Sequence, residues 1–375
     1  MRVTLKSDVF LDALSHAKKI VDKKSSIPIL KHLLFKAEDA AVTLTSTDME
    51  HSLTEVIPAL VEERGKIAIL AHILSDIVQK IPSGSDVTLT AEEGASRVIL
   101  TSGRSKFEVA CLSSEDFPKV GDKDLPHQFE IHSEGLKNLL SHTSFAASTE
   151  ETRYHLQGVF FHSDKEDSND ITDSNLCAAA TDGHRLACYR VPSPIGAENI
   201  PGFIISAKTS DVLGKLFESQ KEMIQVSLSE SQICFKMDQI ELSARLVDAD
   251  FPDYRAVIPQ ENSINISLKT DLFKQALERV SAVCDSKTSG VRLSLSDNEM
   301  HMTTIDKEYG SADDVLDISY AGTPIQIGFN HSYLRDISNK IANQATLEIG
   351  DSTSAIVMKD ADDQNALYVL MPMRL

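Results

Sequence analysis

No run of about 18 apolar residues occurs anywhere in the 375-residue chain, so it offers no candidate membrane-spanning helix. The opening stretch, MRVTLKSDVFLDA, lacks the apolar core of a signal peptide, and a cytoplasmic location is expected. Cysteine is scarce. Cys111, Cys177, Cys188, Cys234 and Cys284 are an odd number without a C-x-x-C pair, which argues against a disulfide framework or a zinc site and for reduced, mostly buried thiols. Catalytic signatures are missing too: there is no Walker A, G-x-G-x-x-G, G-x-S-x-G or H-E-x-x-H, and no histidine has a ligand partner at metal-binding spacing. The acid-rich DKEDSNDITDSN (164–175) lacks the turn glycine and closing glutamate of a calcium loop and reads as a solvated insertion between strands. No cofactor and no metal are therefore expected. Basic residues are in deficit, 37 against 56 acidic ones, for a net charge of −19. That balance repels nucleic acid over most of the surface, so any DNA-facing region must be a minority of it.

What the chain does have is repetition. At this length one ordinary core is too small, and two or three domains are expected. STDME (Ser46 to Glu50) and ATDGH (Ala180 to His184) place Thr-Asp pairs 134 residues apart, and Phe117-Pro118 and Phe251-Pro252 keep the same spacing. A looser third copy has TTIDKE at Thr303 to Glu308 and ends on Pro372. Each copy opens with an alternating strand (RVTLK, QFEIH, INISL), continues through an amphipathic helix and further strands, then repeats that plan at half scale. The chain reads as six β-α-β-β-β units paired into three domains, 1–125, 126–260 and 261–375, of class α+β. Ser7, Ser133 and Thr270 stand at plausible helix N-caps, with Asp8, Glu134 and Asp271 in the first turns. The six helical stretches (8–20, 71–81, 133–147, 208–219, 270–283, 331–342) carry ten basic and nine acidic residues, against −20 for the rest of the chain. One such helix is an ordinary solvated face; six that escape the acidity around them suggest a surface suited to DNA.

The stretch AATDGHRLACY gathers Thr181, Asp182, His184 and Arg185 around Gly183 and has the ingredients of acid/base catalysis. Its repeat partner TDMEHSL keeps Thr47 and Asp48 but lacks Gly-His-Arg, so the Thr-Asp pair reads as turn chemistry shared by both copies. A nuclease using Asp182 and His184 is one rival reading. A peptide-binding scaffold that never surrounds DNA is another.

SIPILKHLL, STDME, SGRSKFEV, ATDGHRLA, FPDYRAVIP, GVRL, IGFN and YVLMPMRL, in that order on a threefold repeat, resemble the bacterial β sliding clamp family over the whole chain. That family supplies the processivity subunit of the replicative DNA polymerase III holoenzyme. The resemblance implies a DNA clamp fold and a non-catalytic, head-to-tail homodimeric ring, with helices lining a central pore around double-stranded DNA and sheets outside. The implied partners are the replicative polymerase α subunit, the clamp loader, and other DNA polymerases and mismatch-repair proteins carrying clamp-binding peptides; no membrane is implied. A mildly basic bore inside an acidic exterior suits sliding without sequence preference.

Residue roles follow from the same resemblance. DNA contacts fall on Lys24 (beside Lys23), His72, Glu150, Tyr154, His155 and Lys208. Glu150 stands where a glutamine can occur and does not favour phosphate, and Tyr154-His155 replaces a paired-tyrosine arrangement. A hydrophobic groove for short linear peptides falls on Leu156, Thr181, Gly183, His184, Arg185, Leu186, Pro252, Val257, Asn330, Tyr333 and the tail Met371, Pro372, Met373, Arg374 and Leu375. Its thioethers suit varied apolar side chains, with Arg185 and Arg374 expected at the rim. Ala256 and Thr288 depart from arginine and aromatic residues found in some members. The dimer contact is expected to set Arg104, Lys106, Phe107 and Val109 against Asp306, Glu308, Asp313 and Asp314, with apolar burial near Ala282 and Val283.

Overall fold

The computed structural model describes residues 1–92, 94–119, 124–165, 174–216, 223–283, 290–306 and 309–374. Glu308 and Leu375 lie outside the described residues, as do Cys284, Thr288 and most of the acidic insertion. Six β-α-β-β-β units follow one another along the chain. The first is β1 (Arg2–Lys6), α1 (Ser7–Ile20), β2 (His32–Glu38), β3 (Ala41–Thr47) and β4 (His51–Pro58); a short β5 (Leu60–Glu63) follows. The second is β6 (Gly65–Leu70), α2 (Ala71–Val78), β7 (Asp86–Thr90), β8 (Arg97–Ser102) and β9 (Ser105–Leu112). The third is β10 (His127–His132), α3 (Ser133–Ser141), β11 (Gly158–Lys165), β12 (Ser174–Thr181) and β13 (Arg185–Pro192). The fourth is β14 (Phe203–Ser206), α4 (Ala207–Leu216), β15 (Met223–Leu228), β16 (Gln232–Met237) and β17 (Ile240–Arg245). The fifth is β18 (Ile264–Lys269), α5 (Thr270–Ser281), β19 (Gly290–Ser296), β20 (Glu299–Asp306) and β21 (Gly310–Asp317). The sixth is β22 (Ile325–Asn330), α6 (His331–Ser338), β23 (Gln344–Ile349), β24 (Ile356–Asp360) and β25 (Ala366–Leu370).

Contacts gather these elements into two compact units, which divide the middle repeat between them: 1–137 with 194–197 and 208–246, and 138–193 with 198–207 and 247–375. In the first unit, strands run β10-β15-β16-β17-β4-β3-β2-β6-β9-β8-β7-β1-β5 in one sheet. Helix α1 buries Phe10, Ala13, Leu14, Ala17 and Ile20, a three-and-four spacing that keeps one apolar stripe against the sheet. In the second unit, one sheet runs β14-β11-β12-β13-β25-β24-β23-β18 and another β21-β20-β19-β22, with α5 packed against α6.

The repeat shows in the strand register. Cross-strand rows of paired residues run Val3, Leu89, Leu100, Phe107 in the first repeat. They run Phe129, Val226, Phe235, Leu242 in the second, and Ile266, Leu347, Met358, Tyr368 in the third.

The helix termini depart from expectation. Ser7 and Thr270 are first helical residues and not caps; Lys6 and Lys269 precede them and make no side-chain cap bond. Ser7 is buried and donates to the Pro82 carbonyl (2.9 Å), while the buried Thr270 hydroxyl has no partner among the described residues. Helices α2 and α6 stop short of Ile81 and Ala342 because their last turns tighten: Lys80 N–H donates to Ile77 O, and Lys340 N–H to Ile337 O. After α3, the Thr143 hydroxyl donates to Leu139 O (2.6 Å), and a separate 3-10 turn covers Ser144–Ala146. No described helix is long and apolar enough to cross a membrane.

Candidate functional site

The β12–β13 turn is built from its own side chains. Thr181 Oγ1 donates to the Arg185 carbonyl (2.6 Å) and accepts from Gly183 N–H (3.1 Å). Asp182 Oδ1 accepts from the backbone N–H groups of His184 (2.9 Å) and Arg185 (3.0 Å). The β3–β4 turn repeats this bond for bond. Thr47 donates to His51 O (2.8 Å) and accepts from Met49 N–H (3.0 Å), and Asp48 Oδ1 accepts from Glu50 N–H (2.9 Å) and His51 N–H (2.6 Å). Thr-Asp is therefore a turn device. His184 is exposed and stacks on Tyr333, with centroids 6.4 Å apart, so the motif's acid and base are committed to different partners. Among the described residues no cluster of His, Cys, Asp and Glu can hold a metal.

Arg185 braces the site instead of lying at its rim. Its guanidinium bonds Asp182 (3.1 Å), Asp336 (2.8 Å) and the Phe145 carbonyl (2.7 Å), stacks 4.4 Å over the Tyr333 ring, and leaves its side chain 9% exposed. The arginine thus ties the hairpin to α6 and to the turn after α3. Nothing in the sequence pairs Arg185 with Asp336, because their meeting depends on how α6 packs.

Beyond β25, which pairs with β13, the tail continues across two neighbours. Met371 N–H donates to His184 O (2.9 Å), and Met373 N–H to Gly328 O (2.8 Å) on β22. Asn330 caps α6 by accepting from Ser332 N–H (2.9 Å). Leu186, Val369, Phe251, Tyr254 and Ile258 pack together; Val257 and Met371 are exposed, and Pro372, Met373 and Tyr333 are half-buried. Leu156 is buried, at the end of a 3-10 segment (Glu151–Leu156) whose Arg153 donates to Asp182 O (3.1 Å). The tail, hairpin tip and α6 start are thus joined by bonds, and apolar surface is left facing out.

The expected DNA positions fare unequally. Lys24 is exposed and His72 half-buried. Lys208 is engaged: its ammonium bonds Asp48 (2.5 Å) and the Ile20 carbonyl (3.3 Å). Burial opposes ionisation of Asp48, but bonds from His51 and Lys208 outweigh it and hold the carboxyl well below its usual range. Glu150 pairs with Arg153 (3.0 Å), which offsets the charge unsuited to phosphate. Tyr154 is exposed and meets His155 edge to face.

Among the expected dimer residues, Arg104, Lys106, Asp313 and Ala282 are exposed, and Val283 and Phe107 are half-buried. Val109 is 2% exposed and belongs to its own core. Asp314 already pairs with Arg279 (2.6 Å), whose hydrogen bond draws its pKa down. Asp306 closes β20 opposite Gly310. Two strand edges are open among the described residues. β21 pairs only with β20, and β9 meets β8 and, through Cys111 and Leu112 alone, β6.

Family models match all three stretches of the chain: the N-terminal domain of the DNA polymerase III beta subunit over residues 1–121, its central domain over 130–253 and its C-terminal domain over 255–374. The beta sliding clamp of Caulobacter vibrioides is 35% identical over 376 residues, and that of Escherichia coli K12 31% over 380, each match covering both chains in full. Among solved structures, a Bartonella birtlesii sliding clamp bound to griselimycin aligns over the whole of both chains at TM-score 0.95 and 34% identity. A Caulobacter crescentus clamp, with polyethylene glycol at a putative beta-motif tethering region, aligns at TM-score 0.95 and 35% identity over 100% of this chain and 99% of that one.

Proposed function

The chain belongs to the DNA polymerase III beta subunit family, the beta sliding clamps, and we propose that two copies close head to tail into a ring around duplex DNA. Its role is that of a non-catalytic processivity factor. The domains 1–125, 126–260 and 261–375 are the repeating parts of that ring, and the expected setting is the cytoplasm. One observation carries the head-to-tail reading. The second repeat's row ends on Leu242, which pairs with Leu53 of β4; the third repeat's ends on Tyr368, which pairs with Ala187 of β13. These are equivalent positions in equivalent strands, so two junctions share one register. Among the described residues the first repeat's row ends on Phe107 with no strand beyond it, and the strand equivalent to β4 and β13 is β21, itself an open edge among them. Carrying the register over sets Phe107 opposite Ala312 of the partner subunit and Lys106 opposite Asp313 of the partner subunit. Open edges invite pairing, and an opposite-charge cross-strand pair contributes roughly 0.2–1 kcal/mol. Applied twice, this heterologous contact closes a ring.

The apolar surface around Met371, Met373, Val257 and Tyr333 is the groove for short peptides of the polymerase α subunit, the clamp loader and repair proteins. Its support is the adaptable thioethers and the bonded hairpin that hold the surface open. A charge swap tests the ring contact. Lys106→Glu weakens dimerisation in sedimentation at nanomolar concentration, and adding Asp313→Lys restores it. Restoration by Asp317→Lys instead would place the register elsewhere, and no response to either variant would remove the β9–β21 contact.

A further inference from the structure

Each repeat ties one helix residue to one strand residue at the same place. Lys6, His132 and Lys269 end the strands before α1, α3 and α5 and pair with Asp86, Met223 and Gln344, and ten residues further on stand His16, His142 and Arg279. Facing them are Glu55, Tyr189 and Asp314, equivalent positions of β4, β13 and β21, two residues past Leu53, Ala187 and Ala312. His16 Nδ1 meets Glu55 Oε2 at 3.0 Å, the rings of His142 and Tyr189 stack at 4.5 Å, and Arg279 Nε donates to Asp314 Oδ2 at 2.6 Å. We infer that Arg279, fixed by Asp314 of its own subunit, is a positioning residue for ring closure: the pair holds the open edge of β21 against α5 in the register that β9 of the partner subunit takes up. The inference rests on the reading of β9 and β21 as the ring contact.

Three observations support it. Strands β4 and β13 lie between two bonded strands, whereas β21 has only β20 among the described residues, so the helix side is its remaining support. The pair types differ in the same sense. His16 and Glu55 are 15% and 11% exposed and Tyr189 is buried, but Arg279 is 57% and Asp314 21% exposed. A histidine contact depends on that cover or on a proton, while an arginine keeps its charge and its donor geometry in water, which suits a brace that must hold before the partner arrives. Neighbouring strand residues also point to opposite faces, so half-buried Asp314 is turned to α5 while exposed Asp313 is left for Lys106 of the partner subunit. The two adjacent acids thus have separate tasks.

Double-mutant cycles on the dimer dissociation constant of the full-length protein test the inference. Arg279→Met and Asp314→Asn are each expected to weaken dimerisation about fivefold per contact, about 25-fold for a ring with two contacts, the upper end for an exposed pair. Combining them is expected to add little, because both remove one bond. In a monomeric Lys106→Glu background, Arg279→Met is expected to speed amide hydrogen exchange across β21 without moving the urea midpoint; unchanged exchange would overturn the positioning role. A midpoint that falls while the dissociation constant of the parent protein stays put would overturn it too, by making the pair a stabiliser alone. Additive losses, or coupling of Asp314→Asn to Lys106→Met in place of Arg279→Met, would make Asp314 a direct contact of the partner and remove the brace. Lys106→Glu without effect on dimerisation rejects the β9–β21 contact and this proposal with it; a dimer that Lys106→Glu breaks and Arg279→Met does not leaves the contact standing without the brace.

Discussion

Ser46 and Thr304 occupy the same place in the first and third repeats, each paired across the hairpin from the residue that meets, or is proposed to meet, the last strand of another repeat's row: Ser46 with Leu53, Thr304 with Ala312. Both hydroxyls are buried without a hydrogen-bond partner among the described residues, and the second repeat has Ala180 there. A buried unsatisfied hydroxyl costs about 1–3 kcal/mol, so Ser46→Ala is expected to stabilise by about 1 kcal/mol, read as a higher urea midpoint at unchanged slope. A lower midpoint would mean that Ser46 has a partner. Histidines set the acid limit. His32, His142 and His162 all have pKa values lowered from 6.5, first by burial. The unfolded chain takes up protons near 6.5 that the folded chain resists, so each histidine removes stability as pH falls below that value. His142→Gln is expected to show a shallower loss between pH 7.5 and 5.5 in the same denaturation assay; an unchanged slope would clear His142 of that role.

At the scale of elements, the strand and helix order was legible because each unit repeats a period of two followed by a period near 3.6, and six repetitions average out local ambiguity. The Thr-Asp turns were legible too, since an Asp and a Thr can close a turn with their own side chains wherever the backbone goes. Helix ends were not, because tightening of the last turn depends on what packs there and not on the helical stripe. The N-caps failed for a related reason: Ser7 and Thr270 face the interior, where burial decided their position. The tail carries a prediction at this scale. Core residues of β25 end at Leu370, and Met371 and Met373 add one backbone bond each. Deleting residues 371–375 is therefore expected to reduce peptide affinity at least thirtyfold, about 2 kcal/mol, while leaving dimer sedimentation unchanged. Normal peptide affinity would reject the groove, and joint loss of both would make the tail structural.

For the whole molecule, the sequence's charge pattern said more about function than about the individual contacts. Lys208 sits on α4 but is spent on Asp48, Arg279 on Asp314, and Lys340 lies beyond α6 over the Phe145 ring with its pKa lowered by burial. Cations committed in this way suit a protein held on DNA by closure and not by affinity. Direct phosphate contacts weaken with salt at a logarithmic slope of about −0.9 per neutralised phosphate, whereas a closed ring dissociates only by opening or by reaching an end. The direct measurement is retention of protein loaded by a clamp loader and ATP onto nicked circular DNA, followed by gel filtration in moderate salt before and after the circle is cut. The ring account predicts that the protein stays on the circle and is lost from the linear molecule; equal loss from both, governed by salt alone, would contradict it.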